Sequence, residues 1–292
     1  MGLALALLSA FSWGASDFVA GRAERVSPGL SVAVASQFVG LVAVAALLPV
    51  VRGDSGGSAL WAGAGGGIGS AVGLALLYHA LAVGRMSVTA PITGAVAAAI
   101  PVLYGLVSGE RPALVALVGV VLALGAIVVL SASPSEDEAA SAEAGRLDRR
   151  GLLRLLSRPG VAAALVSGVG FGAFFICLGR TGDTAGLWPI FAAKISSVVL
   201  LVSVAVVTGR TVVPAPGARP SVGVVGLLDV VANVLFLLAT RRGLLSLVAL
   251  VTSLYPAVTV LLARAVLGER LSRIQALSVA AAGGGVALIA LG

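Results

Sequence analysis

The feature that most constrains this chain is a succession of long apolar stretches separated by only a few residues each. They fall at about 2–20, 30–50, 60–82, 87–107, 113–131, 160–178, 187–208, 221–240, 244–267 and 273–291. A helix crossing a bilayer needs ~20 predominantly apolar residues, so each stretch has the length of one crossing. The breaks carry arginine or turn-forming residues, as expected where a chain leaves hydrocarbon. Strand-type alternation is absent, so helices rather than a barrel must satisfy the backbone. Composition agrees: 59% of residues are hydrophobic and 11% charged, against ~45–50% and ~25% in soluble domains. The expected fold is an all-α integral membrane protein with ten transmembrane helices. Its expected place is a cell membrane of bacterial type, with the lipid bilayer as solvent.

The net charge of +7 invites a nucleic-acid reading. The arginines stand singly or in pairs at the ends of apolar runs, which is where membrane-protein loops carry them, so no nucleic-acid partner is expected. The first apolar run lacks a positively charged leader and continues past Phe18, so it reads as a retained helix. Cys177 is the one cysteine. It excludes an internal disulfide and any multi-cysteine metal cluster.

Residues 132–159 form the one long polar segment, acidic first and basic later. They divide the chain into a first five-helix unit (1–131), a charged linker (132–159) and a second five-helix unit (160–292). The basic part of the linker can be read as a surface helix or, more simply, as a solvated connector.

The two units repeat one another. At a shift of 158, Ser9 meets Ser167, Gly14 meets Gly172, and Gly21-Arg22 meets Gly179-Arg180. At a shift of 159, Gly84 meets Gly243, Ser87 meets Ser246, and Gly109-Glu110-Arg111 meets Gly268-Glu269-Arg270. An odd number of helices per unit makes the second copy enter the membrane from the opposite side. Inverted repeats are how many secondary transporters build two access states around one midplane site.

Two five-helix halves, the Trp13-Gly14 motif in the first helix and a Gly-Glu-Arg turn before the last helix of each half resemble the EamA family of the drug/metabolite transporter superfamily. The resemblance implies a ten-helix permease that moves small organic metabolites, often outward, by alternating access. The long charged linker and the lack of basic tails depart from that family's usual pattern.

Charges within spans are costly and commonly functional. Asp17 lies in the C-terminal half of the first helix. Lys194, the one lysine of the chain, lies in the seventh, and Asp229 in the eighth with Asn233 four residues on, on the same face. These are the expected substrate- or proton-binding residues, together with Trp13 and Tyr255. Proton coupling would run through the aspartates, and Lys194 would hold an anionic group or a carboxylate. The alternative is a structural Lys194–Asp pair. Trp13 reads either as a stacking platform for an organic substrate or as packing. Pro91, Pro101 and Pro256, in the paired fourth and ninth helices, read either as gate hinges or as sites of static kinks.

Other features have blander readings. His79 fits an interfacial position, and Trp61 and Trp188 fit the aromatic belt. Gly65, Gly69 and Gly73 form a ridge for close helix approach, serving the monomer's own packing or a homodimer. Glu110 and Glu269 are expected to pair locally with Arg111 and Arg270. No enzyme constellation, cofactor motif or metal site is found.

Orientation stays open. The linker side carries 12 loop arginines against 5 on the other, so the positive-inside rule puts the linker in the cytoplasm. Family resemblance suggests that the termini lie there instead. Two further functions compete with transport: a non-transporting membrane scaffold, and a translocase for lipid-linked carriers.

Overall fold

The structure is a computed structural model that describes residues 1–83, 86–132, 160–267 and 273–291. The helices are α1 (Gly2–Glu24), α2 (Gly29–Leu47), α3 (Gly57–Val83), α4 (Met86–Val107) and α5 (Leu114–Ala132), then α6 (Val161–Gly179), α7 (Trp188–Val207), α8 (Arg219–Thr240), α9 (Leu245–Thr252), α10 (Tyr255–Leu267) and α11 (Arg273–Leu291). The linker and the Gly268-Glu269-Arg270 turn lie outside the described residues.

Seven segments are long and apolar enough to cross a membrane, and three shorter apolar helices, Ile92–Val107, Leu114–Ile127 and Ala276–Leu291, stand beside them. One of the seven, Leu245–Val266, comprises both α9 and α10. The sequence reads there as one continuous helix, but the structure interrupts it at Ser253 and Leu254. Pro256 explains the position of the break. It lacks an N–H for the helical ladder, and its ring clashes with the carbonyl four residues earlier. Helix α4 runs unbroken through Pro91 and Pro101. Pro101 is buried, whereas the side chain of Pro91 is outside the described residues.

Large apolar side chains such as Phe11, Phe38, Leu103, Val121 and Leu277 face outward, while Lys194, Asn233 and several serines are buried. That is the distribution expected when hydrocarbon replaces water as the surrounding solvent.

The halves interlock. Helix α1 packs on α8 and α10, while its counterpart α6 packs on α3 and α4; α2 packs on α8, and α7 on α3. The contacts correspond residue by residue. A Cβ on Gly14 would meet Val258 and the Tyr255 carbonyl; on Gly172 it would meet Ile100 and the Ala97 carbonyl. Val258 and Ile100 differ by 158 positions, as do Tyr255 and Ala97. Likewise the hydroxyl of Ser9 donates to the Ala232 carbonyl at 2.8 Å, and that of Ser167 to the Gly73 carbonyl at 2.6 Å. Gly69 and Gly73 lie against the Gly170 and Ser167 carbonyls, so the glycine ridge of α3 receives α6.

Two ends of the bundle can be distinguished. The first holds Met1 and the loops at 48–56, 108–113, 180–187 and 241–244. The second holds the loops at 25–28 and 208–218, and the chain enters and leaves the linker there. Helix α1 runs from the first end to the second and α6 from the second to the first, so the repeats are antiparallel.

Candidate functional site

Four helices deliver polar side chains to one point in the interior. The Asp229 carboxylate on α8 accepts hydrogen bonds from the Trp13 indole N–H of α1 at 2.9 Å and from the Asn233 amide at 3.1 Å. It also pairs with the ammonium of Lys194 on α7. Lys194 donates in addition to the side-chain carbonyl of Gln37 on α2 at 2.7 Å. Asn233 is held in place by a second bond to the Asp229 backbone carbonyl at 2.6 Å.

Burial makes this network consequential. Lys194 is 4% exposed and Asn233 3%. A charge in such surroundings persists only if it is paired and its remaining hydrogen-bonding capacity is met. Gly40 of α2 provides the space. A Cβ there would lie 3.3 Å from the Lys194 Cε and 3.4 Å from its Nζ. Sequence reasoning singled out neither Gln37 as a partner of Lys194 nor Gly40 as its seat. A polar residue within an apolar run was the available signal for Gln37. Gly40 gave none among so many glycines.

The ring of Trp13 lies among Phe174, Phe175 and Phe236, with centroids at 6.3, 5.6 and 6.2 Å. Such edge and tilted contacts suit aromatic quadrupoles. In this conformation the indole is engaged by protein and positions Asp229.

Asp17 follows Trp13 by one helical turn. Ala6, Ala10, Trp13, Asp17 and Gly21 succeed one another at three- and four-residue steps and so share one face of α1. Along that face exposure rises steadily. Ala6 and Ala10 are buried, Trp13 is partly open, and Asp17 and Gly21 are exposed. No atom lies within 4 Å of where a Gly21 Cβ would stand. Leu7, Leu8 and Phe11, the outward-facing residues of α1, lie on a different face. Asp17 is thus exposed, within electrostatic range of Asp229 and Glu24, and Tyr255 lies within range of Asp17. It lies toward the second end, one helical turn from the Trp13 indole that bonds to Asp229.

Contacts tie the loops of the first end to one another. The Asp54 N–H donates to the Thr184 carbonyl at 2.8 Å, Arg180 bonds to the Tyr104 hydroxyl, and Gly2 lies against the Arg242 carbonyl. Glu110 corrects the expectation of a local pair with Arg111. Its carboxylate instead accepts from the backbone N–H groups of Leu245 and Ser246 at 2.8 and 3.0 Å. An acidic group gains more from the positive end of a helix than from a solvated arginine. Helix α4 packs along α9, and no comparable packing joins it to α10 among the described residues. The two helices therefore meet at the first end and part toward the second.

The other expected residues fall outside this cluster. His79 is exposed on α3, and Pro101 and Pro256 lie on α4 and α10.

Comparison with known proteins gives a family and a fold. The model of the EamA-like transporter family matches residues 1–132 and 158–291. A solved structure described only as a crystal structure of a protein superposes with a TM-score of 0.76 at 19% identity, covering 99% of this chain and 96% of that one. No curated protein matches the chain.

Proposed function

The chain belongs to the EamA-like transporter family, and from that premise we propose that it is a ten-span secondary transporter exporting a small organic metabolite by alternating access. The observation that carries this reading is the buried Lys194–Asp229 network, which lies where two antiparallel repeats meet. We read it as the floor of a chamber that opens past Asp17 toward the second end.

The chemistry divides among the residues. Lys194 and Asp229 neutralise one another, and Trp13, Gln37 and Asn233 hold the pair in place. Polar groups of an entering solute take over some of these bonds, because a buried charge must keep its hydrogen bonds satisfied while it changes partners. Asp17 has no hydrogen-bond or ion-pair partner among the described residues, and it is the group to which we assign proton exchange, with Tyr255 beside it. We place Pro101 and Pro256 as hinges of the paired gate helices, with Pro91 as a third on its sequence position. A membrane of bacterial type is the proposed location.

The test is flux across a panel of small metabolites in proteoliposomes, with and without a proton gradient. The expected result is movement of at least one solute, lost in Lys194→Met and Asp229→Asn proteins that still reach the membrane. No flux of any solute under any gradient, or full activity in both variants, would overturn the proposal.

A further inference from the structure

Glu110 performs a task that its place in a surface turn does not announce. Helix α9 begins without a cap of its own, because its N-cap is Leu244 and no side chain there bonds its first N–H groups. An uncapped start leaves backbone donors unsatisfied and a positive helix end uncompensated. The carboxylate of Glu110 meets both needs from a distance of 135 residues along the chain.

Two glycines make the reach possible. Two residues past the end of α4, Gly109 stands at φ +95°. The Gly109 N–H bonds to the Leu106 carbonyl and the Glu110 N–H to the Gly105 carbonyl, which is the Schellman arrangement that aims the next residue back across the helix end. Gly105 then leaves the space. A Cβ there would collide with the Glu110 carboxylate and come within 2.9 Å of the Ser246 Cβ.

This contact joins the C-terminal end of α4 in one half to the start of α9 in the other at the first end, where the two gate helices meet. We infer that Glu110 is a latch: its hold on the start of α9 keeps the first end shut, and that end opens when the carboxylate releases the two N–H groups. The inference rests on the alternating-access reading. Release is feasible because the partners are a carboxylate and backbone donors at the mouth of the bundle, and water can replace each for the other. Such a bond contributes modestly when exchanged for water, which suits a contact that must break in every cycle.

Labelling of cysteines tests this without any substrate. In full-length protein in lipid nanodiscs, with Cys177→Ala as background, Val248→Cys reports the first end and Gly21→Cys the second. Val248 is 1% exposed one turn into α9, whereas Gly21 is open. Glu110→Gln, nearly isosteric and uncharged, should raise maleimide labelling at Val248→Cys by roughly tenfold and lower it at Gly21→Cys. Gly105→Ala, which forces the carboxylate off its partners, should act in the same direction. Ser246→Ala should change neither rate, since the backbone and not the hydroxyl makes the bond. Unchanged labelling at both reporters in Glu110→Gln and Gly105→Ala would overturn the latch and leave a static cap. The labelling rates do not depend on flux, so the latch stands or falls by them even in a chain that moves no solute.

Discussion

At the scale of single residues, the chamber floor is a balance between an ion pair and the space that admits it. Removing one partner strands a buried charge. Lys194→Met is therefore expected to lower stability by ~3–5 kcal/mol, read as a fall in the thermal midpoint of the detergent-solubilised protein. Combining it with Asp229→Asn should restore at least half of that loss without restoring flux. A double variant as unstable as the single one would show that the pair itself is not what the interior requires. Gly40→Leu should act like a partial removal of Lys194, because the added side chain would occupy the place of the ammonium. Flux and stability should fall together. The sequence showed Lys194, Asp229 and Asn233 plainly, since polar residues inside apolar runs are conspicuous. It did not show which would meet, because helix rotation and tilt are set by packing against neighbours. Trp13 illustrates the limit. Its motif was visible, but only the positions of Phe174, Phe175 and Phe236 decide that its ring packs against protein.

At the scale of elements, boundaries were legible wherever glycine, proline or arginine marked them. The interruption between α9 and α10 was foreshadowed by Pro256, yet Pro101 leaves α4 continuous. Proline removes one donor in either case, and the surrounding helices determine whether the ladder closes over the gap. Gly109 offers a direct check on the turn that ends α4. Because its φ of +95° is unfavourable for a residue with a Cβ, Gly109→Ala should cost ~1–2 kcal/mol. Gly57→Ala, at a position with open space around it and no positive φ, should be nearly neutral. Equal thermal midpoints for the two variants would show that the turn is not what ends α4. The link from Glu110 to α9 was not readable in advance, since its partners are backbone groups far along the chain and carry no side-chain signature.

At the scale of the whole molecule, the repeat was readable from a few matched glycines, serines and the Gly-Glu-Arg triplets. Its geometric content, in which equivalent glycines admit equivalent carbonyls, required the structure. That equivalence predicts paired responses. Gly14→Ala and Gly172→Ala should each destabilise by ~1–3 kcal/mol, because each added methyl meets a β-branched residue at under 3 Å. A large effect in one and none in the other, measured by thermal unfolding, would mean that the halves bear load unequally. The charged floor breaks the symmetry in any case. Gly226 lies against the Ser36 carbonyl as Gly67 lies against that of Ala193, so the counterparts of Lys194 and Asp229 in the first half are Gln37 and Ser70.

The interruption at Ser253 and Leu254 has a wider consequence. The two halves share one design, yet α4 runs on unbroken and its counterpart is interrupted. On the alternating-access reading proposed above, each half displays the shape that the other would take if their roles were exchanged. In that mirror form α4 would fold at Ala95 and Val96, which align with the break in the register that pairs Tyr255 with Ala97, and α9 and α10 would run on as a single rod. The molecule thus holds, within one conformation, a template for its opposite.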